Sequence, residues 1–583
     1  MRLSPLMIAV SLALMSGCQS APPTEAEADV GSAAYIAPVL PGAPLPAPLQ
    51  QPAPADALES VAANAAAGQA AKQSLAEQQR ANLQARRAPA TVGALAMAPP
   101  PAPPAVGYPA MPQANTEHYA AFEDSPLHLA AEQAVSTFSI DVDTGSYSNV
   151  RRMLMAGQRP PADAVRAEEM INYFDYGYAA PTARDQPFRV TTELAPAPWN
   201  RAHRLLQVGI QGYRVPTASI PASNLVLLID TSGSMQDPDK LPLLKRSFAE
   251  LVARLRAQDR VSIVVYAGSA GLVLAPTPGD RKDLILAALD RLEAGGSTNG
   301  GEGLQLAYAQ ARAAFIRNGV NRVLLATDGD FNVGTFDQRA LETMVADQRK
   351  TGVALTTLGF GTGNYNDAMA ERLADLGNGN HAYVDSIEEA RKVLGEEMSS
   401  TMLTIAEDVK IQVEFNPAVV AEYRLIGYEN RALRREDFNN DRVDAGEIGA
   451  GHDVTALYEI TLVGAGGASV DPLRYGKPAA TGARSDELAW LRLRELAAGL
   501  AGTLVAQARG QASPALHWAA AVAACADLLR GGRHLDGFGW AQVRHLAEGA
   551  RGSDPHGERA QFLDLVDRAA KLTTPAAPVA VTE

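Results

Sequence analysis

Between residues 221 and 403 the chain repeats one pattern, a short and nearly continuous apolar run followed by an amphipathic stretch. The runs are 224–229 (NLVLLI), 261–266 (VSIVVY), 323–326 (VLLA), 354–360 (ALTTLGF) and the shorter 382–384. A strand apolar on both faces must be covered on both faces, as in a parallel sheet between two helical layers. The intervening segments supply those helices. Leu241, Leu244, Phe248, Leu251 and Leu255 recur every three or four residues, and Ile285, Leu289 and Leu292 do the same behind Asp280, an expected N-cap. Alternating β and α predicts a central doubly wound parallel sheet, Rossmann-like in topology. In that architecture ligands bind beyond the carboxyl ends of the strands.

Oxygen-bearing side chains gather at those ends. Asp230-Thr231-Ser232-Gly233-Ser234 follows the first run, Thr327-Asp328-Gly329 follows another, and 295–301 (GGSTNGG) opens a helix between them. Two carboxylates and three hydroxyls are hard donors that suit Mg2+. They are too few to close an octahedron, so water and an outside oxygen complete it, and such a site accepts a carboxylate. The glycines let the backbone turn tightly around an ion. Asp230/Ser232/Ser234, Thr298 and Asp328, in that order and strand context, resemble the metal-ion-dependent adhesion site of von Willebrand factor type A domains. The resemblance implies direct metal ligation by Ser232 and Ser234, ligation by Thr298 directly or through water, and Asp230 and Asp328 acting through water. Mg2+ is the expected ion, with Mn2+ or Ca2+ as alternatives.

The flanks read as two further units. In 126–220, residues 136–143 alternate like a strand, 146–155 and 162–174 have helical spacing, and 188–194 and 205–211 read as strands, a small α+β unit. Asp143-Thr144-Gly145-Ser146 matches the aspartic-protease fingerprint, but that mechanism needs two carboxylates sharing one proton. The other similar stretch, at Asp230, carries an extra residue. Ser146 or Asp143 is expected instead to cap the following helix. In 404–583, residues 409–415, 419–425, 454–462 and 490–494 read as strands, and 514–530, 540–549 and 555–572 as helices, a C-terminal domain of β-then-α order. Asp437-x-Asn439-x-Asp441 begins like a calcium loop, but Arg442 stands where glycine is needed and Ile448 where the bidentate glutamate belongs. His517, His534, His545 and His556 lack zinc-like spacing. Cys525, in an Ala-rich apolar helix, reads as a buried, inert thiol. Residues 141–147 (DVDTGSY), 166–174 (RAEEMINYF) and 449–460 (GAGHDVTALYEI) resemble bacterial YfbK-type lipoproteins, over essentially 126–570. That resemblance implies a central von Willebrand A domain, over 221–403, between an N-terminal unit and a C-terminal domain. It implies no biochemical activity beyond metal-dependent protein binding.

The N-terminus reads as an address. Residues 1–17 have a single Arg2, an apolar stretch over 5–15 and small residues Ser16-Gly17, the pattern of a secretory signal. Cys18, one of only two cysteines, stands where a bacterial lipobox places the acylated residue. Gln19 in place of aspartate points to the outer membrane. Residues 18–125 are expected to be an Ala/Pro-rich disordered tether, with 31 Ala and 17 Pro over 21–120 and too little apolar surface to offset ordering entropy. Such a tether spans about 55–60 Å as a coil and about 330 Å fully extended.

A net charge of −14 argues against a nucleic-acid or anionic-lipid partner. The expected protein is a lipid-anchored module on the outer membrane, facing the periplasm or the cell surface. It would hold an acidic side chain of a partner protein through its metal. A metal-dependent hydrolase would need a base or nucleophile beside the ion. The three loops hold no histidine, and Glu302 and Asp330 are the additional carboxylates nearby, so an enzyme is not expected. An envelope protein whose metal only stabilises the fold is the remaining alternative.

Overall fold

The computed structural model describes residues 116–583 apart from 330–337, 398–399, 401, 444, 471–486, 496–498, 507–511 and 574–583. The signal sequence, Cys18, the expected tether up to residue 115 and Asp330 lie outside the described residues. The first flank comprises β1 (His128–Leu129), β2 (Val135–Ser139), α1 (Gly145–Met155), α2 (Ala167–Asn172), β3 (Phe188–Pro196) and β4 (His203–Gly212). The centre runs β5 (Ser223–Asp230), α3 (Leu241–Arg254), β6 (Arg260–Tyr266), β7 (Ala270–Pro278), α4 (Lys282–Asp290), α5 (Gly300–Ala313), β8 (Val320–Thr327), α6 (Gln338–Arg349), β9 (Ala354–Phe360), α7 (Asp367–Leu376), β10 (His381–Val384) and α8 (Ile387–Arg391). The second flank comprises β11 (Thr404–Ala406), β12 (Lys410–Phe415), β13 (Val420–Ile426), β14 (Ile448–Gly449), β15 (Asp453–Leu462), β16 (Glu487–Glu495), β17 (Gly499–Ala506), α9 (Pro514–Arg530), α10 (Trp540–Ala550) and α11 (Glu558–Thr573).

The central sheet has the order β10-β9-β8-β5-β6-β7, parallel except for the β6–β7 hairpin. Its strands serve two cores at once, which is why they are apolar throughout. Leu225, Leu227 and Ile229 of β5 pack in one core with Leu244 and Phe248 of α3; Val226 and Leu228 pack in the other with Leu304 and Tyr308 of α5. Full burial of one such side chain stabilises by about 1.5–3 kcal/mol.

The flanks, expected as two units, share their sheets. One sheet has the order β1-β13-β15-β4-β3, the other β17-β16-β12-β2. Phe138, Ile411, Val413 and Leu491 of the second meet Val208, Tyr423 and Tyr458 of the first in one core. The helices merge likewise: Tyr147 of α1 and Met170 of α2 are buried with Trp518, Val543 and Phe562 of α9, α10 and α11. The von Willebrand-like sheet is therefore inserted in sequence between strands of one two-sheet body.

Local details also differ from expectation. The stretch 162–174 is interrupted: a 3-10 turn at Ala162–Ala164 is followed by extended Val165 and Arg166 before α2. Ser146 holds this break rather than capping α1; its hydroxyl donates to Ala164 O at 2.7 Å and accepts from Arg166 N at 2.9 Å. Thr144 is the N-cap without a side-chain bond, and Asp143 instead accepts the His381 amide at 2.8 Å. Asp280 does not cap α4, whose N-cap is Arg281. Residues 116–125, expected as tether, bond to the folded body from Thr116 onward.

Candidate metal centre

β5 and β8 are parallel neighbours with Ile229 opposite Ala326, so Asp230 and Asp328 leave the sheet at adjacent points. Both are fully buried. Ser232 N donates to Asp230 Oδ1 at 2.8 Å, and Thr327 Oγ1 lies 3.5 Å from Oδ2. Burial, with the nearby Asp328 carboxylate, pushes the Asp230 carboxyl up to about 6 against the opposing bonds from Ser232. The Ser232 and Ser234 hydroxyls are 3.0 Å apart, the first buried and the second exposed. Gly233 N donates to Gly296 O at 3.0 Å and Gly295 N to Thr231 O at 2.8 Å, which ties the loop carrying half-buried Thr298 to the loop carrying the serines. Gly296 has φ +89°, a turn open to glycine.

Asp328 sits in a closed triangle. Its Oδ2 accepts from Lys240 Nζ at 3.0 Å and from Asn364 Nδ2 at 3.0 Å, while Lys240 also donates to Asn364 Oδ1 at 2.9 Å. Its Oδ1 is buried without a hydrogen-bond partner. A carboxylate oxygen in that position is costly unless something positive meets it. The ammonium of Lys240 offsets one of two buried carboxylates, which leaves negative charge beside a pair of hydroxyls. The donor set therefore fits a hard divalent cation. Among the described residues no three His, Cys, Asp or Glu side chains converge as a metal group. A cation here would rest on hydroxyls and water beside the two aspartates.

The structure thus brings Asp230, Ser232, Ser234 and Asp328 into one cluster and sets the Thr298 loop against it. Lys240 and Asn364 were not foreseen. Lys240 directly precedes the apolar period of α3 and Asn364 lies in an ordinary polar turn, so neither carries a pattern of its own. Glu302 is exposed in the first turn of α5. The other decoys have structural partners: Asp441 pairs with Arg494, and Asp437 accepts from Arg434 N at 3.3 Å. The Cys525 thiol is buried, and burial pushes it up to about 12.

A doubly wound sheet with Asp-x-Ser-x-Ser and Asp at its strand ends and Thr on the loop set against them is the pattern of a von Willebrand factor type A domain, and the family model of that description matches residues 224–396. Models described as "von Willebrand factor" and "Uncharacterized protein YfbK, C-terminal" match residues 113–207 and 400–572. The chain is 49% identical over 473 residues to "Uncharacterized protein YfbK" of Escherichia coli K12, covering 79% of this chain and 82% of that protein. It belongs to the YfbK family of bacterial von Willebrand A proteins. "Uncharacterized protein sll0103" of Synechocystis is 33% identical over 187 residues, 31% of this chain and 43% of its own. A solved von Willebrand factor type A protein of Catenulispora acidiphila is 14% identical, covers 64% of this chain and 88% of its own, and superposes with a TM-score of 0.36.

Proposed function

We propose that this protein is an envelope-anchored binding module in which Asp230, Ser232, Ser234, Thr298 and Asp328 hold Mg2+, and in which an acidic side chain of a partner protein completes the ion's coordination. Mn2+ or Ca2+ are alternative ions for the same oxygen donors. The observation that carries the proposal is the buried Asp328 Oδ1, without a partner beside the Ser232 and Ser234 hydroxyls and Asp230. The exposure of Ser234 leaves a side open to a ligand. Binding rather than hydrolysis suits the neighbours. Ser232, Thr327, Lys240 and Asn364 contact the two aspartates, and the Lys240 amine is held in an ion pair.

Calorimetric titration of the full-length protein with MgCl2 tests the centre. Asp230→Ala should lose at least the roughly ten- to hundred-fold in affinity that an outer-shell substitution costs, with the fold intact. Equal Mg2+ binding by the variant would place the site elsewhere. Proximity labelling in the host, wild type against Asp230→Ala, then identifies the partner.

The anchor belongs to the same proposal: acylation at Cys18 holds the module on the outer membrane, facing the periplasm or cell surface, with no nucleic-acid partner. Among the described residues no helix is long and apolar enough to cross a membrane. Two acyl chains anchor stably where one does not. Cys18→Ser should move the protein to the soluble or uncleaved-precursor fraction. A processed variant that resists a salt wash on membranes would count against lipidation.

A further inference from the structure

Among the described residues the chain begins at Thr116, and there it lies against the loop that reaches the candidate metal centre. Thr116 N donates to Gly363 O at 2.8 Å, His118 N to Tyr365 O at 2.9 Å, and Asp367 N to His118 O at 3.2 Å. Together they make a parallel bridge that pairs His118 with Asn366. The Thr116 hydroxyl adds a 3.0 Å bond to Gly363 O, and Gly363 N donates to Glu117 Oε1 at 3.0 Å. Glu117 is itself fixed from the other side. Its Oε2 accepts from Arg152 of α1 at 3.0 Å and from the Tyr119 hydroxyl at 2.9 Å. Tyr119 in turn accepts from Asn149 of α1 at 2.7 Å. Residues 116–119 are thus held between α1 and the loop 361–366.

That loop touches both sides of the Asp328 triangle. Asn364 supplies one corner. A Cβ on Gly361 would lie 2.3 Å from Lys240 Cγ, and a Cβ on Gly329 would lie 2.1 Å from Asn366 N. The Lys240 stem, the loop and the Asp328-Gly329 turn therefore pack without slack. The ends of the loop rest on aromatic side chains: Tyr383 donates to Gly361 O at 2.5 Å, and the Tyr365 hydroxyl lies 2.7 Å from His381 Nε2. Its middle has no such floor. Gly363 has φ +93°, and apart from its chain neighbours nothing lies within 4 Å of where its Cβ would be. Beyond the bonds of Asn364 to Asp328 and Lys240, it is the hydrogen bonds with residues 116–118 that hold it.

We propose that residues 116–118 are a positioning strap: paired on 363–366, they fix Asn364 against Asp328 and so set how tightly the centre holds a divalent cation. The effect on the cation rests on the metal proposal above, while the effect on Asn364 and Lys240 stands apart from it. The strap directly follows the long upstream segment, so anything that peels it away, whether a partner, a cleavage or a pull on that segment, acts on the centre through the loop.

The test uses full-length protein. Thr116→Pro/His118→Pro removes both strap N–H donors. Thr116→Ala keeps the backbone donor and serves as control. Mg2+ affinity should fall roughly ten- to hundred-fold in the double variant, the size of an outer-shell loss, and stay near wild type in the control. The second readout does not involve metal. The Lys240 side chain is 4% exposed in its ion pair, so acylation by an amine reagent, read by peptide mass spectrometry, should be slow in wild type and faster in the double variant.

Hydrogen exchange across β5 checks that the fold survives. Should the double proline variant fail to fold, Glu117→Ala removes the acceptor of the Gly363 amide without altering the backbone, and it too must speed Lys240 labelling. Faster labelling with no Asp230-dependent Mg2+ binding in wild type would uphold the strap and remove the metal proposal. Unchanged Lys240 labelling in a folded strap variant would overturn the strap.

Discussion

Lys240 is the residue on which the electrostatics of the centre turn. Asp328 is fully buried, and the Lys240 ammonium at 3.0 Å is the cation in contact with its Oδ2. Removing one partner of a buried pair strands the other charge, at a cost of about 3–5 kcal/mol. Lys240→Met keeps the length of the stem that packs on Gly361 but deletes the charge. Urea denaturation in EDTA should therefore find the variant less stable by about that amount. A cation bound to the folded state alone stabilises it by mass action. The variant presents an uncompensated carboxylate, so saturating Mg2+ should restore more stability to it than it adds to wild type. Equal Mg2+ stabilisation of both proteins would mean that the ion does not sense Asp328. Gly329 marks the same tightness in another way, since φ +92° and the nearby Asn366 amide admit no side chain.

The elements divide into those that local pattern encodes and those that distant partners decide. β5 is legible because its neighbours cover both faces: alternate residues feed two cores, and the run reads as apolar throughout. Asp230 and Asp328 are legible for the same reason: Asp230 directly follows such a run, and Asp328 follows another after Thr327. β7 escaped because AGLVLAPTP is a half-exposed edge strand with two prolines, which reads as loop. The break before α2 escaped because its cause is tertiary. Arg166 turns away from a helical course and pairs with Glu169, Asp367 and Glu371 at 2.7–2.9 Å, two of them in the inserted domain. The shared sandwich escaped because β2 pairs with β12, Ser136 opposite Val413, across the whole insertion. Periodicity reports which face of a strand is buried and carries nothing about which strand lies beside it. The strap was hidden likewise, because its bonds run mostly from backbone to backbone and leave no mark in composition.

The whole molecule joins its insert to its sandwich through buried charge, and that joint fixes how stability depends on pH. Arg166 pairs with Glu169, Asp367 and Glu371, and Arg431 with Asp141, Asp143, Glu371 and Asp375, so two guanidiniums serve six carboxylates. Such a cluster must keep protons when folded. Burial pushes the Glu371 carboxyl up to about 8 even with both arginines at hand. Burial and the Asp175 carboxylate push Asp453 up to about 7. Asp367 goes the other way: despite its burial, the Arg166 guanidinium and His381 hold it below the usual carboxylate range.

The signs follow from proton counts. Between 4.5 and about 8 the folded protein keeps a proton on Glu371 that the unfolded chain has released, so stability falls as pH rises. Asp453 acts in the same direction from 3.8 to about 7. Asp367 contributes stability above 3.8 that is lost as pH falls below that value. Each raised group adds a slope of at most about 1.4 kcal/mol per pH unit. In EDTA, which removes metal linkage, the urea midpoint should therefore decline from pH 6.5 to pH 8, above the range in which buried His452, held down to about 4 by burial and Arg322, acts the other way. Glu371→Gln cannot ionise, so its midpoint should decline less steeply over the same range, whatever its stability at any one pH. A midpoint that rises towards pH 8, or a variant that keeps the full wild-type slope, would show that the carboxylates of this joint are ionised in the folded protein and that the two arginines suffice to hold them.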